Sequence, residues 1–145
     1  MRWTSADDDG GQAVLFDEGV ERHLGRGEYR GLEFLHVSAR RLINEVPVAS
    51  RMPFRWTINA YRGCSHACTY CFSRPTHEFL GMNSGEDFDR RIVVKVNAVE
   101  RLRAELAPGQ WAGDHIAMGT NTDPYQRCEG KYRLTQGIVS ELSKA

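Results

Sequence analysis

The sequence predicts an α/β protein: three parallel β-α units behind an irregular N-terminal extension. Three observations carry that prediction. Runs rich in β-branched and aromatic residues alternate with stretches of helical periodicity, in the order strand, loop, helix, three times over. The last of the runs, 115–119, is nearly continuous in apolar character, as a strand buried on both faces is. Gly63, Gly81 and Pro108-Gly109 punctuate the ends of the regular segments.

Through Gly31 the chain is rich in Gly, Asp and Arg, with breaks at Gly10-Gly11 and Gly25-Arg26-Gly27, and is expected to be a loosely ordered, solvated leader. Between Val37 and Val46, Leu42, Ile43 and Val46 share one side of a short helix that Pro47 stops. Residues 1–50 are therefore expected to form a partly disordered extension with that one helix, and residues 51–145 the regular domain. The first strand is Phe54–Tyr61, ended by Gly63. Pro75 opens a short helix that runs to Leu80 and closes at Gly81. The second strand is Arg91–Val96. Asn97 then caps a helix, with Glu100 three residues on, and Val99, Leu102 and Leu106 recur on one face until Pro108-Gly109. The third strand is His115–Gly119, and Leu134, Ile138, Val139 and Leu142 mark the third helical stripe. Loops that follow parallel strands emerge on one face, where such sheets gather their chemistry. The loops after the first and third strands should therefore meet.

Composition excludes several classes. The 145 residues suffice for one domain with a modest core, at 41% hydrophobic and 26% charged. Nineteen basic residues balance nineteen acidic ones, so there is no broad basic surface for unspecific nucleic-acid binding. The stretch Met1–Asp9 holds no apolar signal region, and no run approaches membrane-spanning length. Three of the four cysteines crowd into one loop, which is no secreted disulfide framework and points to a reducing, cytoplasmic compartment.

That loop carries the chemistry. Cys64, Cys68 and Cys71 are spaced C-x3-C-x2-C. Three thiolates are an odd number for structural zinc, which wants four protein ligands. An iron–sulfur cube held by three cysteines keeps one iron free for a ligand that is not protein. Zinc remains open if His66 or His77 supplies a fourth ligand. A disulfide would leave one of the three cysteines odd. Lys95 sits inside an apolar strand and needs a partner or a ligand if it points inward; near the strand end it would reach solvent. Cys128 fits no motif and reads as an incidental thiol.

The string Asn59-Ala60-Tyr61-Arg62-Gly63-Cys64-Ser65-His66-Ala67-Cys68-Thr69-Tyr70-Cys71-Phe72-Ser73-Arg74-Pro75-Thr76-His77 resembles the signature loop of the radical S-adenosylmethionine superfamily, in its spore photoproduct lyase-related, DNA repair photolyase-like branch. Val94-Lys95-Val96-Asn97 and Gly119-Thr120-Asn121-Thr122-Asp123-Pro124-Tyr125-Gln126 extend the resemblance, which covers about residues 36 to 145. It implies the N-terminal half of a partial (β/α)6 barrel. It also implies a [4Fe-4S] cluster on Cys64, Cys68 and Cys71 whose fourth iron takes S-adenosylmethionine, reductively cleaved to a 5′-deoxyadenosyl radical. Tyr70 matches the aromatic residue near the adenine, with plain packing as its other reading. Thr120, Asn121, Thr122 and Asp123 lie where relatives bind the amino group of S-adenosylmethionine, although the common Gly-Gly-Glu is absent; a turn and helix cap at Asp123-Pro124 is the other reading. The implied partners are S-adenosylmethionine and an electron donor such as a flavodoxin or ferredoxin, with damaged nucleic acid as substrate by analogy only. Three of six β-α units are counted, so the chain is expected to be C-terminally truncated and inactive in isolation. A small iron–sulfur or zinc module without S-adenosylmethionine chemistry is the alternative.

Overall fold

The strands of the computed structural model sort into two small mixed sheets; the structure describes residues 20–71 and 73–145. In the first sheet β1 (Glu21–Leu24), β2 (Glu33–Val37), β6 (Arg91–Lys95) and β5 (Tyr61–Arg62) lie in the order β1-β2-β6-β5. Only β2 and β6 are parallel there; β1 and β5 are antiparallel to their neighbours. In the second sheet β3 (Ile43–Glu45), β4 (Trp56–Ile58) and β7 (Ile116–Met118) lie in the order β3-β4-β7, with β4 and β7 parallel and β3 antiparallel. The helices are α1 (Glu86–Arg90), α2 (Ala98–Glu105), α3 (Glu129–Tyr132) and α4 (Leu134–Lys144), with 3-10 segments at Gly27–Tyr29, Val48–Ser50 and Arg74–Leu80.

This corrects the expectation of three parallel β-α units forming half of a (β/α)6 barrel. The expected first strand breaks after Ile58. Asn59 and Ala60 turn the chain, and Tyr61–Arg62 pairs antiparallel with β6 instead of running parallel beside it. The remaining departures come from the expected extension. Its described part supplies β1, β2 and β3, two of which sit in the first sheet and one in the second. No helix forms over 37–46. Instead Asn97 bonds both the N–H and the carbonyl of Ala39, at 2.8 and 3.0 Å. The Glu105 carboxylate accepts from the N–H groups of Leu42 and Ile43, at 2.8 and 2.9 Å. Backbone groups satisfied from a neighbouring helix need no helix of their own. The same bonds spend the Asn97 side chain, so it makes no capping bond to α2. Residues 1–19 of the expected leader lie outside the described residues.

Burial explains what holds the layers together. β6 is buried on both faces: Ile92 and Val94 join Phe34, Ile58, Tyr61, Leu102 and Ile138 in the main core, whereas Val93 joins Leu35, Val37, Leu80 and Met82 on the other side. Alternation along a strand puts neighbours on opposite faces, and here each face has its own apolar cover. α4 lies against α2 at Gly137, where a Cβ would stand 2.5 Å from Val99 Cγ2. β7 departs from expectation, being only half-buried at the edge of its sheet. Among the described residues no helix is long and apolar enough to cross a membrane.

Candidate functional site

Parallel pairing of β4 with β7, Ile58 opposite Met118, delivers the cysteine loop and the 119–126 loop to the same end of one sheet. The meeting of the two loops stands, though the pairing that produces it is not a barrel's. Asn59, the first residue past β4, donates to Thr120 Oγ1 and accepts from the Asn121 N–H, both at 3.0 Å. Ser73 Oγ donates to the Thr120 carbonyl at 3.4 Å. Deeper in, the Gly63 carbonyl accepts from the Thr122 hydroxyl at 2.6 Å and from Gln126 Nε2 at 3.0 Å, while Gln126 Oε1 accepts from the Ser65 N–H at 3.2 Å.

Within the loop every cysteine opens a turn. The carbonyls of Cys64, Cys68 and Cys71 accept from the N–H groups of Ala67, Cys71 and Arg74, at 3.3, 3.3 and 3.5 Å. All three thiols are free; Cys64 is buried, Cys71 half-buried and Cys68 exposed. Burial raises the Cys64 thiol above its ordinary value, and the neighbouring backbone amides of His66 and Asp123 oppose the shift without cancelling it.

The floor under the loop is fixed. Gly63 has φ +85°, and a Cβ there would lie 2.8 Å from both His77 Cε1 and the Phe88 carbonyl oxygen. Cys64 N–H donates to that same carbonyl at 3.0 Å. Gly63→Ala is therefore expected to cost about 3 kcal/mol, from positive-φ strain and the clash together. Urea unfolding measures it, and a cost below ~0.5 kcal/mol contradicts this account of the floor. Arg74 braces the other side. Its guanidinium donates to the Cys68 carbonyl from two nitrogens, at 2.7 and 3.0 Å, and to the carbonyls of Ser84 and Gly85, and it pairs with Asp89 at 2.9 Å.

The residues singled out in the sequence fare differently. Thr120, Asn121, Thr122 and Asp123 do reach the cysteine loop, but the Thr122 hydroxyl is committed to Gly63, and Asp123 Oδ1 accepts from the Tyr125 N–H in a turn. Asp123 Oδ2 stands 3.0 Å from His66 Nε2. Cys64, His66 and Asp123 have ligand atoms within 4.8 Å of one another, a grouping that excludes Cys68, Cys71 and His77. His77 is fully buried beneath Gly63 with Nε2 2.8 Å from the Arg91 carbonyl, so it is no candidate ligand. Tyr70 is 88% exposed, which removes the packing alternative for it. Lys95 does not reach solvent: it is fully buried, and Nζ has no hydrogen-bond partner. Cys128 lies in the main core, and burial pushes its thiol up to about 12, as an inert core thiol requires. Asn59, Gln126 and Arg74 were inside the quoted motifs, yet only tertiary pairing reveals that they join the loops.

Two uncharacterized proteins, of Mycobacterium bovis and Mycobacterium tuberculosis, are each 48% identical to this chain over 136 residues, covering 94% of it and 40% of the relative. An uncharacterized protein of Methanocaldococcus jannaschii is 25% identical over 113 residues, 78% of this chain and 39% of that relative. The chain thus spans about 40% of the length of the curated relatives it matches. No family model matches the chain. No solved structure matches it.

Proposed function

We propose that the chain is a radical S-adenosylmethionine protein of the spore photoproduct lyase-like kind, holding a [4Fe-4S] cluster on Cys64, Cys68 and Cys71. The observation that carries this is the placement of three free thiols on one turn-rich loop that the 119–126 loop grips at Gly63 and Ser65. When bound, the cluster supplies the single electron that cleaves S-adenosylmethionine to methionine and a 5′-deoxyadenosyl radical. The chain's own residues do the positioning. Gly63, His77 and Arg74 hold the loop rigid, and Asn59, Thr122 and Gln126 fasten it to the 119–126 loop. Asn121 and Asp123 have oxygens with which to accept from the cofactor's ammonium, and Tyr70 is exposed where it can close over the adenine. Exposed Cys68 offers the side from which a flavodoxin- or ferredoxin-like donor delivers its electron. Thiols kept free suit a reducing cytoplasm. Damaged nucleic acid as substrate rests on analogy with the family alone.

Anaerobic reconstitution with iron and sulfide tests this. The expected product carries about four irons per chain and a reduced-state paramagnetic signal that changes on adding S-adenosylmethionine. A signal indifferent to S-adenosylmethionine indicates a cluster module without that chemistry. A second reading is favoured by one grouping, Cys64, His66 and Asp123, whose ligand atoms suit a single zinc ion. Anaerobically purified chain that carries zinc and takes up no iron decides for it.

A further inference from the structure

We propose that the β1–β2 hairpin carries a second, mononuclear metal site, in which Glu21, His23 and His36 bind a zinc-class divalent cation. Glu21 and His23 are two residues apart on β1, so they share a face, and His36 is the register partner of Glu21 on β2. Their ligand atoms all lie within 4.8 Å of one another. His23 Nε2 stands 3.1 Å from Glu21 Oε1. Adjacent ligands around a tetrahedral zinc, with bonds near 2 Å, stand roughly 3.3 Å apart, so this pair is already spaced for one ion.

His36 is held from behind. Its Nε2 lies 2.6 Å from the Tyr132 hydroxyl. With the Nε2–H donated to that oxygen, Nδ1 is the nitrogen left bare for the metal, and a ligating histidine normally has its other nitrogen anchored in this way. The two imidazoles stack with centroids 3.9 Å apart and planes 23° apart. Their in-plane lone pairs then run nearly parallel, so closing the site swings His23 out of the stack. All four residues of β1 are exposed, so the swing carries His23 toward solvent and a fourth position stays open to water. Two imidazoles and one carboxylate select zinc, cobalt, nickel or copper over magnesium or calcium, which prefer all-oxygen sets. The bound ion clips the edge strand β1 to its neighbour and fixes their register.

The site is independent of the cysteine loop, and the test keeps them apart. Zinc is titrated against a chromophoric chelator in the full chain bearing Cys64→Ser, Cys68→Ser and Cys71→Ser together, which leaves no thiol in the loop to take metal. One equivalent is expected to bind, with affinity falling more than about tenfold in His23→Gln or Glu21→Gln and about tenfold in Tyr132→Phe. In the same triple variant, with the hairpin itself unsubstituted, substoichiometric Co2+ is expected to broaden the His23 and His36 ring resonances. No zinc bound by the triple variant, affinity unmoved by His23→Gln, or broadening that spares these two rings each overturns the proposal. None of these outcomes bears on whether the loop holds a cluster.

Discussion

Serine at Cys64, Cys68 or Cys71 is expected to strip the reconstituted chain of its four-iron cluster, leaving less than about one iron per chain and no visible iron–sulfur absorbance. Each thiol leaves from its own turn of one loop, so no other described cysteine can replace it: the remaining thiol, Cys128, is sealed in the core. Cys128→Ser is expected to keep full iron content. His66→Ala should also keep it, because His66 meets Asp123 at the rim and is not needed as a ligand. The pattern separates the two metals. If Cys64, His66 and Asp123 hold zinc, metal is lost in His66→Ala and retained in Cys68→Ser and Cys71→Ser. Iron and zinc analysis of the five variants is sufficient.

Lys95→Met is expected to stabilise the chain by ~2–4 kcal/mol at pH 6 and to have almost no effect above about pH 10.5. Burial first, and then the charge of nearby Arg62, lower Lys95 from its ordinary 10.5 to about 7, with Glu105 opposing them. The sign follows from linkage. Below pH 7 the lysine is protonated in both states, and the folded chain bears the whole cost of a buried ammonium. Between about 7 and 10.5 the unfolded chain binds a proton that the folded chain does not, so native stability rises with pH. Above that range the lysine is neutral in both states. Urea unfolding at pH 6, 8 and 10 should therefore show the variant's advantage shrinking as pH rises. An advantage constant with pH, or a loss at pH 6, contradicts a buried and unpaired Lys95. Glu105 already spends its carboxylate on Leu42 and Ile43, which leaves little of it for the ammonium.

Legibility in the sequence followed the apolar signal. β6, α2 and α4 were visible because their buried residues repeat at strand or helix spacing, as with Ile92-Val93-Val94 and with Leu134 and Ile138. The segment after Pro75 also formed, as a 3-10 helix closed by Gly81. β1 was invisible because no residue of it is buried; an ion pair from Arg22 to Glu33 and the His23–His36 stack hold it to β2. β3 was misread because Leu42, Ile43 and Val46 fit a helix, and only Glu105 and Asn97, some sixty residues away, show why the segment is extended. Alternation of strand and helix patterns says nothing of which strands pair. That is why a parallel barrel half was expected where two mixed sheets form. At the site, the three cysteines and the 119–126 loop were legible as motifs, and their meeting was predicted from their positions after strands. Bonds such as those of Gln126 to Gly63 and Ser65 could not be, since each joins residues some sixty apart.

The fastening between the two loops has a chemical character of its own. Asn59, Thr122, Gln126 and the Gly63 carbonyl are all groups that neither gain nor lose a proton in ordinary solution. The outer contact of His66 with Asp123 lies at the solvent edge. The inner seam is thus closed by neutral groups alone, and its hold on the two loops does not depend on the charge the surface carries.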